Sequence, residues 1–344
     1  MKPATEVGRW LDGTGPESDA VVSSRVRFAR NLADLPFTAH ADARGQERVV
    51  EAARWALENS GAGGRFVDDE LLTPERCTYL VERHLASPDF CASSARRGLW
   101  VSDDESFSLM VNEEDHLRFG ALASGLDFPA AFGAAAAMDE RLEAELQYAF
   151  SPAFGFLTAC LSNLGTAMRA SALVHLPALV LTRDIEKTLR GAVNVGLVVR
   201  GLHGEGSETR GNFFQVSNQR TVGVTESEVV ETVSAAVREM IGHERGAREY
   251  LMHNARVEVE DKVFRSLALL RGARVLTSHE AVNLLATVRL GIALGIVNEL
   301  TLARVSRLLV LIRPANLQAV LGETLGAHDR DERRATFVRE QLCH

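Results

Sequence analysis

Residues 106–111, Ser-Phe-Ser-Leu-Met-Val, form an alternating apolar run, and three carboxylates follow at once in Asn112-Glu113-Glu114-Asp115-His116-Leu117-Arg118. The alternation reads as a β-strand with a buried face. Three adjacent acids at the end of a buried strand are costly unless something cationic comes to meet them. A chain with this segment must therefore build a sheet and bring basic groups to one end of it. A solvated acidic turn accounts for one or two such acids, but less easily for three with His and Arg directly behind them.

At 344 residues the chain can hold one large or two medium domains with a sizeable core. A formal charge of −8 argues against direct nucleic-acid binding as the main role, but the 38 Lys+Arg, nearly all Arg, leave room for a local basic pocket. Cys77, Cys91, Cys160 and Cys343 show neither metal-ligand spacing nor a paired framework, which suits a reducing cytoplasm. Residues 1–12 lack the apolar centre of a signal peptide, and the apolar stretch 290–297 falls short of the roughly 18 residues a membrane span needs. The expectation is a cytoplasmic protein with no membrane contact.

Residues 1–20, with Gly13, Gly15 and Pro16, read as a loosely ordered lead-in. From 21 to 245 strand and helix signals mix. Strands are expected at 20–23, 98–102, 106–111, 196–200 and 212–217, and helices at 46–59, 73–85, 141–150, 166–176 and 181–193. Thr225-Glu226-Ser227-Glu228 is a capping box that opens a helix to about residue 241. Beyond Gly246 strand signals nearly vanish. Helices are expected at 247–271, from the capping box Thr277-Ser278-His279-Glu280 to 294, at 301–312, at 316–321 and at 330–342. The fold class expected is α+β: a mixed domain over 21–245 and an all-helical domain over 246–344.

Five further segments carry polar groups suited to an anion or to a charged acceptor. Val21-Val22-Ser23-Ser24-Arg25-Val26-Arg27 ends a strand with two arginines two apart, hence on one face; alone it would pass for a basic strand edge. Thr158-Ala159-Cys160-Leu161-Ser162-Asn163-Leu164-Gly165-Thr166 is a loop that could offer N–H groups to an anion and feeds the expected helix carrying Arg169. Arg200-Gly201-Leu202-His203-Gly204-Glu205-Gly206-Ser207-Glu208 is glycine-rich, and 211–219 returns as a strand. His84 closes a helix, where a structural histidine would also be at home.

In order and spacing these segments, from about 21 to 219, resemble the catalytic domain of the ATP:guanidino phosphotransferases, the phosphagen kinase superfamily. Within it the chain is most similar to the bacterial protein-arginine kinases of the McsB type, through residues 169–179 and the Gly-Glu-Gly-Ser-Glu at 204–208. Kinases of free guanidino compounds carry a helical domain of their own before the core, and none fits before residue 21. The segment Arg330-Asp331-Glu332-Arg333-Arg334-Ala335 matches the branch's Arg-Asp-x-x-Arg-Ala motif, which lines a second pocket for phosphoarginine. Taken alone it would be a solvated helix face.

The resemblance implies a largely antiparallel sheet flanked by helices, and an enzyme that moves the γ-phosphoryl group of ATP to arginine side chains of proteins. It implies Glu114 and Glu205 as catalytic carboxylates with Cys160 beside the acceptor. It implies an ATP site from Ser23, Ser24, Arg25, Val26, Arg27, His84, Arg118, Arg169, Ala170, Ser171, Ala172, Leu173, Arg200, Gly201, Leu202, His203 and Gly204, with Mg2+ carried on the nucleotide. Arg330, Asp331, Arg334 and Ala335 would form the allosteric pocket. Expected partners are protein substrates with accessible arginines, a zinc-binding activator protein, a Clp-type protease acting in protein quality control, and a second copy in a homodimer or larger oligomer. The chemistry suits these residues: guanidinium is always protonated and weakly nucleophilic, so a carboxylate must hold its fork and take a proton as the N–P bond forms. No Gly-x-x-x-x-Gly-Lys-Ser/Thr is present, so arginines must carry the phosphates. The chain departs from the family's Cys-Pro-Thr-Asn with Cys160-Leu161-Ser162-Asn163. A kinase of a free guanidino compound and a noncatalytic phosphoarginine-binding adaptor are the alternatives.

Overall fold

The computed structural model describes residues 4–201 and 210–343. Its strands are β1 (Val21–Arg30), β2 (Gly64–Asp68), β3 (Gly98–Ser102), β4 (Phe107–Val111), β5 (Leu117–Ser124), β6 (Phe150–Ser151), β7 (Gly155–Phe156), β8 (Met168–His175), β9 (Leu197–Gly201) and β10 (Phe213–Asn218). Eight of them form one antiparallel sheet in the order β2-β3-β4-β5-β1-β8-β10-β9, while β6 and β7 make a small separate hairpin. The helices of the first half are α1 (Ala43–Asn59), α2 (Pro74–Glu82), α3 (Pro88–Ala92), α4 (Phe128–Glu143), α5 (Pro177–Leu181) and α6 (Ile185–Asn194). Then come α7 (Glu226–Asn254), α8 (Arg256–Gly272), α9 (Ser278–Ala293), α10 (Leu302–Leu311), α11 (Pro314–Leu321) and α12 (Ala327–Leu342), with no further strand among the described residues. This is the expected α+β architecture followed by helices. None of the described helices is long and apolar enough to cross a membrane.

Strand alternation divides the sheet into two unlike faces. On one face Val26, Phe28, Phe119, Ala121, Ala170, Ala172, Val174 and Val216 pack under α1, α4 and α7 in one continuous core. Burial of that apolar surface is the main force holding the sheet flat against these helices. Among the described residues, the opposite face is covered at its ends. Cys77 and Leu80 of α2 and Phe90 of α3 cap Leu99, Val101 and Met110. Trp10 and Leu11 join Val22, Leu122 and Phe213 with the helices beyond α7. Between these caps lies the arginine-bearing middle of the sheet, where no described helix packs.

Several local expectations are corrected. The helix expected at 166–176 is the strand β8. Its Ala-rich composition suggests a helix, yet Met168, Ala170, Ala172 and Val174 alternate into the core, and β1 and β10 both bond to it. Propensity is a weak prior beside two ready-made strand partners. The helix expected at 141–150 lies earlier, as α4, because Asp127 caps it by accepting from the Ala130 N–H at 3.0 Å and Pro129 suits its first turn. β1 runs on past Arg27 to Arg30, so the arginine pair sits mid-strand. Strands β2 and β5 have no counterpart among the expected elements. The capping box at Thr225 opens α7 as expected, but the helix passes Gly246 and stops at Asn254.

The helices beyond α7 are locked to the sheet by buried ion and hydrogen-bond pairs. Arg289 of α9 donates to the carbonyls of Ser18 and Asp19 at 2.5 and 3.0 Å and lies 2.9 Å from His175 Nδ1 at the end of β8. His175 is stacked on Phe213, and burial together with Arg289 and Arg248 holds it well below the usual histidine range, so it is neutral. Glu82 accepts from the Ala315 and Asn316 N–H groups at the start of α11, and Arg83 reaches Glu105 and Asn316 at 2.7 Å each. Arg289→Ala is expected to lower stability by about 2 kcal/mol, since it removes the donor that meets buried His175 and the partly buried Ser18 and Asp19 carbonyls. An unchanged urea midpoint would show that this contact does not hold the helical part in place.

Candidate active site

The sheet register brings the five candidate arginines onto one face. Arg25 and Arg27 alternate on β1, Arg27 pairs with Arg169 of β8 and Ala29 with Arg118 of β5. Gln215 of β10 pairs with both Leu173 of β8 and Arg200 of β9, which puts Arg200 on the same side. This is the face between the two caps. The Nε atoms of Arg25 and Arg27 are buried and find no hydrogen-bond partner among the described residues. Burial first, then the Arg118 charge, lowers Arg25 to about 10, with Glu113 pulling the other way. Arg27 is lowered well below its ordinary value by burial and then by Arg25, Arg118 and Arg169. Arg169 is lowered by burial and by Arg118 and Arg200, and Cys160 and Glu114 oppose the shift. A convergence of like charges in a half-buried cleft is unfavourable until an anion fills it.

The acidic heptapeptide is the turn between β4 and β5, and its three acids have different fates. Asn112 starts it in the left-handed region, φ 59°, with its amide bound to the Gln46 and Arg96 carbonyls at 2.9 and 2.6 Å. Glu113 is buried, pairs with Arg118 at 2.5 Å and accepts from Ser87. Asp115 is buried and accepts from Asn31 at 2.6 Å and from the Ala159 N–H at 2.7 Å, tying the turn to the loop that carries Cys160. His116 is buried. Its Nδ1 accepts from the Leu32 N–H at 3.0 Å, so Nε2 carries the proton and donates to the Pro36 carbonyl at 2.9 Å. Of the three acids Glu114 alone is exposed, and among the described residues it meets the Asn163 amide at a long 3.5 Å. Burial of part of its carboxyl and then the neighbouring Asp115 raise its pKa, with Arg118 opposing. The two flanking acids build the turn and leave Glu114 as the carboxylate that can meet a ligand.

Cys160 precedes a single 3-10 turn, Leu161–Asn163, and its Sγ lies 3.0 Å from the Ser162 hydroxyl. The loop feeds β8, so no helix start stands behind it as the sequence suggested. His84 turns the chain out of α2 with φ 61° and meets Trp10 edge-on at 5.4 Å. With Ser23, Arg25, Leu122, Ser171, Leu173 and Gln215 these two rings line a small cavity of about 50 Å³ at one end of the arginine face. Ser24, Val26, Ala170 and Ala172 point to the other face: Ser24 bonds to the Gly125 carbonyl at 2.9 Å, and the rest are core. Gly201 closes β9 opposite Phe214. Leu202, His203, Gly204 and Glu205 lie outside the described residues. Gln215, Trp10, Asn163, Glu113 and Asp115 were given no individual role from the sequence. Gln215 shares the face of Arg200 through the β9–β10 register, which the sequence alone does not give.

In α12, Arg334 is buried and bonded through Nε and Nη1. It donates to the Ile312 and Leu276 carbonyls at 2.8 Å each and to Asp331. Arg330 donates to the Leu325 carbonyl at 2.9 Å, and Ala335 is core. The four residues share one helix, and Arg334 has a structural task there.

Residues 46–247 match the ATP:guanido phosphotransferase C-terminal catalytic domain, and residues 256–344 match the protein-arginine kinase McsB C-terminal domain. A protein-arginine kinase of Symbiobacterium thermophilum is 43% identical over 339 residues, covering 97% of this chain and 96% of the relative. One from Bacillus cereus is 40% identical over 340 residues, covering 98% and 96%. Among solved structures the fold is similar to lombricine kinase, with a TM-score of 0.58 at 26% identity over 70% of each chain.

Proposed function

The chain belongs to the ATP:guanido phosphotransferases, in their protein-arginine kinase family, and from that membership we propose how its residues divide the work. The enzyme is an ATP-dependent kinase that transfers a phosphoryl group to arginine side chains of proteins. In our reading Arg25, Arg27, Arg118, Arg169 and Arg200 hold the ATP phosphates, and Ser23, Ser171 and Leu173 line the same face. His84 closes the site at the small cavity. Ser24, Val26, Ala170, Ala172 and Gly201 shape the strands from behind, and Leu202, His203 and Gly204 continue the phosphate-binding loop. The observation that carries this reading is the register that puts five arginines on one face, two of them with buried Nε atoms that find no partner among the described residues.

Glu114 would hold the acceptor guanidinium and take its proton as the N–P bond forms and the bond from phosphorus to the ADP oxygen breaks. Glu205 would grip the fork from the other side. Cys160 would add negative potential beside it. The arginines offset charge on the transferred group, so the rate comes from positioning and electrostatics. Mg2+ would ride on the nucleotide with phosphate and water as its main ligands.

Arg330, Asp331, Arg334 and Ala335 would form a second pocket that senses phosphoarginine. An Asp331→Ala enzyme that still responds to phosphorylated protein would contradict that role. The helical part would carry homodimerisation, a zinc-binding activator protein would regulate the kinase in the cytoplasm, and a Clp-type protease would consume its products.

The test is transfer from Mg-ATP to an unfolded protein and to free arginine side by side, read without strong acid because N–P bonds are acid-labile. Phosphoarginine on protein but not on the free amino acid is expected. Transfer to the free amino acid alone would overturn the division of roles.

A further inference from the structure

β1 lies between β5 and β8 in the sheet, and towards its end Phe28 pairs with Met168 and Arg30 with Leu117. The turn that carries Glu114 runs into β5, and the loop that carries Cys160 runs into β8. Both segments therefore arrive where β1 ends, and the residue standing there is Asn31, 1% exposed. Its Nδ2 donates to Asp115 Oδ1 on the turn at 2.6 Å and to the Leu157 carbonyl ahead of the loop at 3.0 Å. Its Oδ1 accepts from the His116 N–H at 2.9 Å. The Asn31 carbonyl accepts from the Ala149 N–H at 2.7 Å, and the Leu157 N–H donates to the Ala149 carbonyl at 2.9 Å. The Ala159 N–H lands on the same Asp115 oxygen that Asn31 holds.

These bonds suit an amide of this length. It donates twice and accepts once, all from one buried side chain. An aspartate would turn an oxygen towards Asp115 and the Leu157 carbonyl. A leucine would leave the Asp115 carboxylate, the His116 N–H and the Leu157 carbonyl each short of a partner. The consequence falls on Glu114. Its side chain is exposed and meets Asn163 of the loop at 3.5 Å, so the backbone of the turn decides where its carboxylate stands. Asn31 holds the two residues that follow it. The same strand presents Arg25 and Arg27, so one rigid element refers the phosphate side and the acceptor side of the reaction to each other.

We propose that Asn31 is a positioning residue for phosphoryl transfer: by tying the Glu114 turn to the Cys160 loop at the end of β1, it places the Glu114 carboxylate against the acceptor guanidinium. This inference rests on the reading of Glu114 as the base.

The test is a double-mutant cycle on the full chain, with Mg-ATP and an unfolded protein as substrates. A displacement of about 1 Å at a reacting group costs about a hundredfold, so Asn31→Ala should lower kcat by about that factor, while the KM for Mg-ATP stays within about twofold. In Glu114→Gln the same substitution should cost less than about tenfold, because a base that is gone cannot be misplaced. Asn31→Ser leaves room for a water to meet the buried groups, so it should fold even where Asn31→Ala does not, and it should show the same pattern at smaller size. Equal losses in the two backgrounds, or a raised KM for Mg-ATP with kcat unchanged, would overturn the role of Asn31. If Glu114→Gln by itself keeps nearly full activity, the reading of Glu114 fails, and that single-variant result is separate from the coupling.

Discussion

Glu114→Gln is expected to slow phosphoryl transfer to protein arginine by about two to four orders of magnitude while Mg-ATP binding stays close to that of the unaltered enzyme. The substitution keeps size and hydrogen-bonding capacity but cannot take a proton. Its two neighbours would behave differently. Asp115 holds Asn31 and the Ala159 N–H, and Glu113 holds Arg118 and Ser87, so their loss should unseat the turn and lower stability as well as rate. The raised pKa of Glu114 also sets a direction for pH dependence. A base must be ionised, and a raised pKa means that acidification protonates it sooner than a free glutamate. The rate should therefore fall on the acid side with an apparent pKa above the ordinary glutamate range. A flat profile through that range, or nearly full activity in Glu114→Gln, would remove Glu114 from the role of base.

Arg27→Met should give the second large effect, in two opposite directions. Nucleotide affinity is expected to drop about a hundredfold, the worth of a lost charge-assisted phosphate contact. The free protein, by contrast, should gain about 1 kcal/mol of stability. Arg27 has a buried Nε with no hydrogen-bond partner among the described residues and lies near the charges of Arg25, Arg118 and Arg169, so an apolar side chain there relieves both desolvation and repulsion. A residue that costs stability in the free state and is needed with ligand is the signature expected of a binding site. If Arg27→Met lowers stability and leaves Mg-ATP affinity intact, the arginine is structural and the phosphate site lies elsewhere.

The legible parts of this chain were those with local causes. The run into Asn112 carried its strand and turn, and the capping box at Thr225 carried the start of α7. What escaped was set by pairing partners far away in sequence. Residues 168–175 look helical by composition and become β8 because β1 and β10 stand on either side. That mistake hid the main geometric fact of the site, since Arg169 faces Arg27 only in a strand. The candidate acids were legible as a group, but which one is free was not. That depends on Asn31, Ser87 and Ala159, from three other segments. Arg334 shows a task the sequence did not reveal: besides belonging to the motif, it ties the Leu276 and Ile312 carbonyls together.

Mg-ATP affinity and single-turnover transfer to an unfolded protein, measured together on Glu114→Gln and Arg27→Met, test the division of labour most directly. Both variants should fail to transfer, but Glu114→Gln should bind Mg-ATP normally and Arg27→Met should bind it weakly. Weak nucleotide binding by Glu114→Gln with normal binding by Arg27→Met would contradict the assignment of the arginine face to phosphate and of the turn to the acceptor.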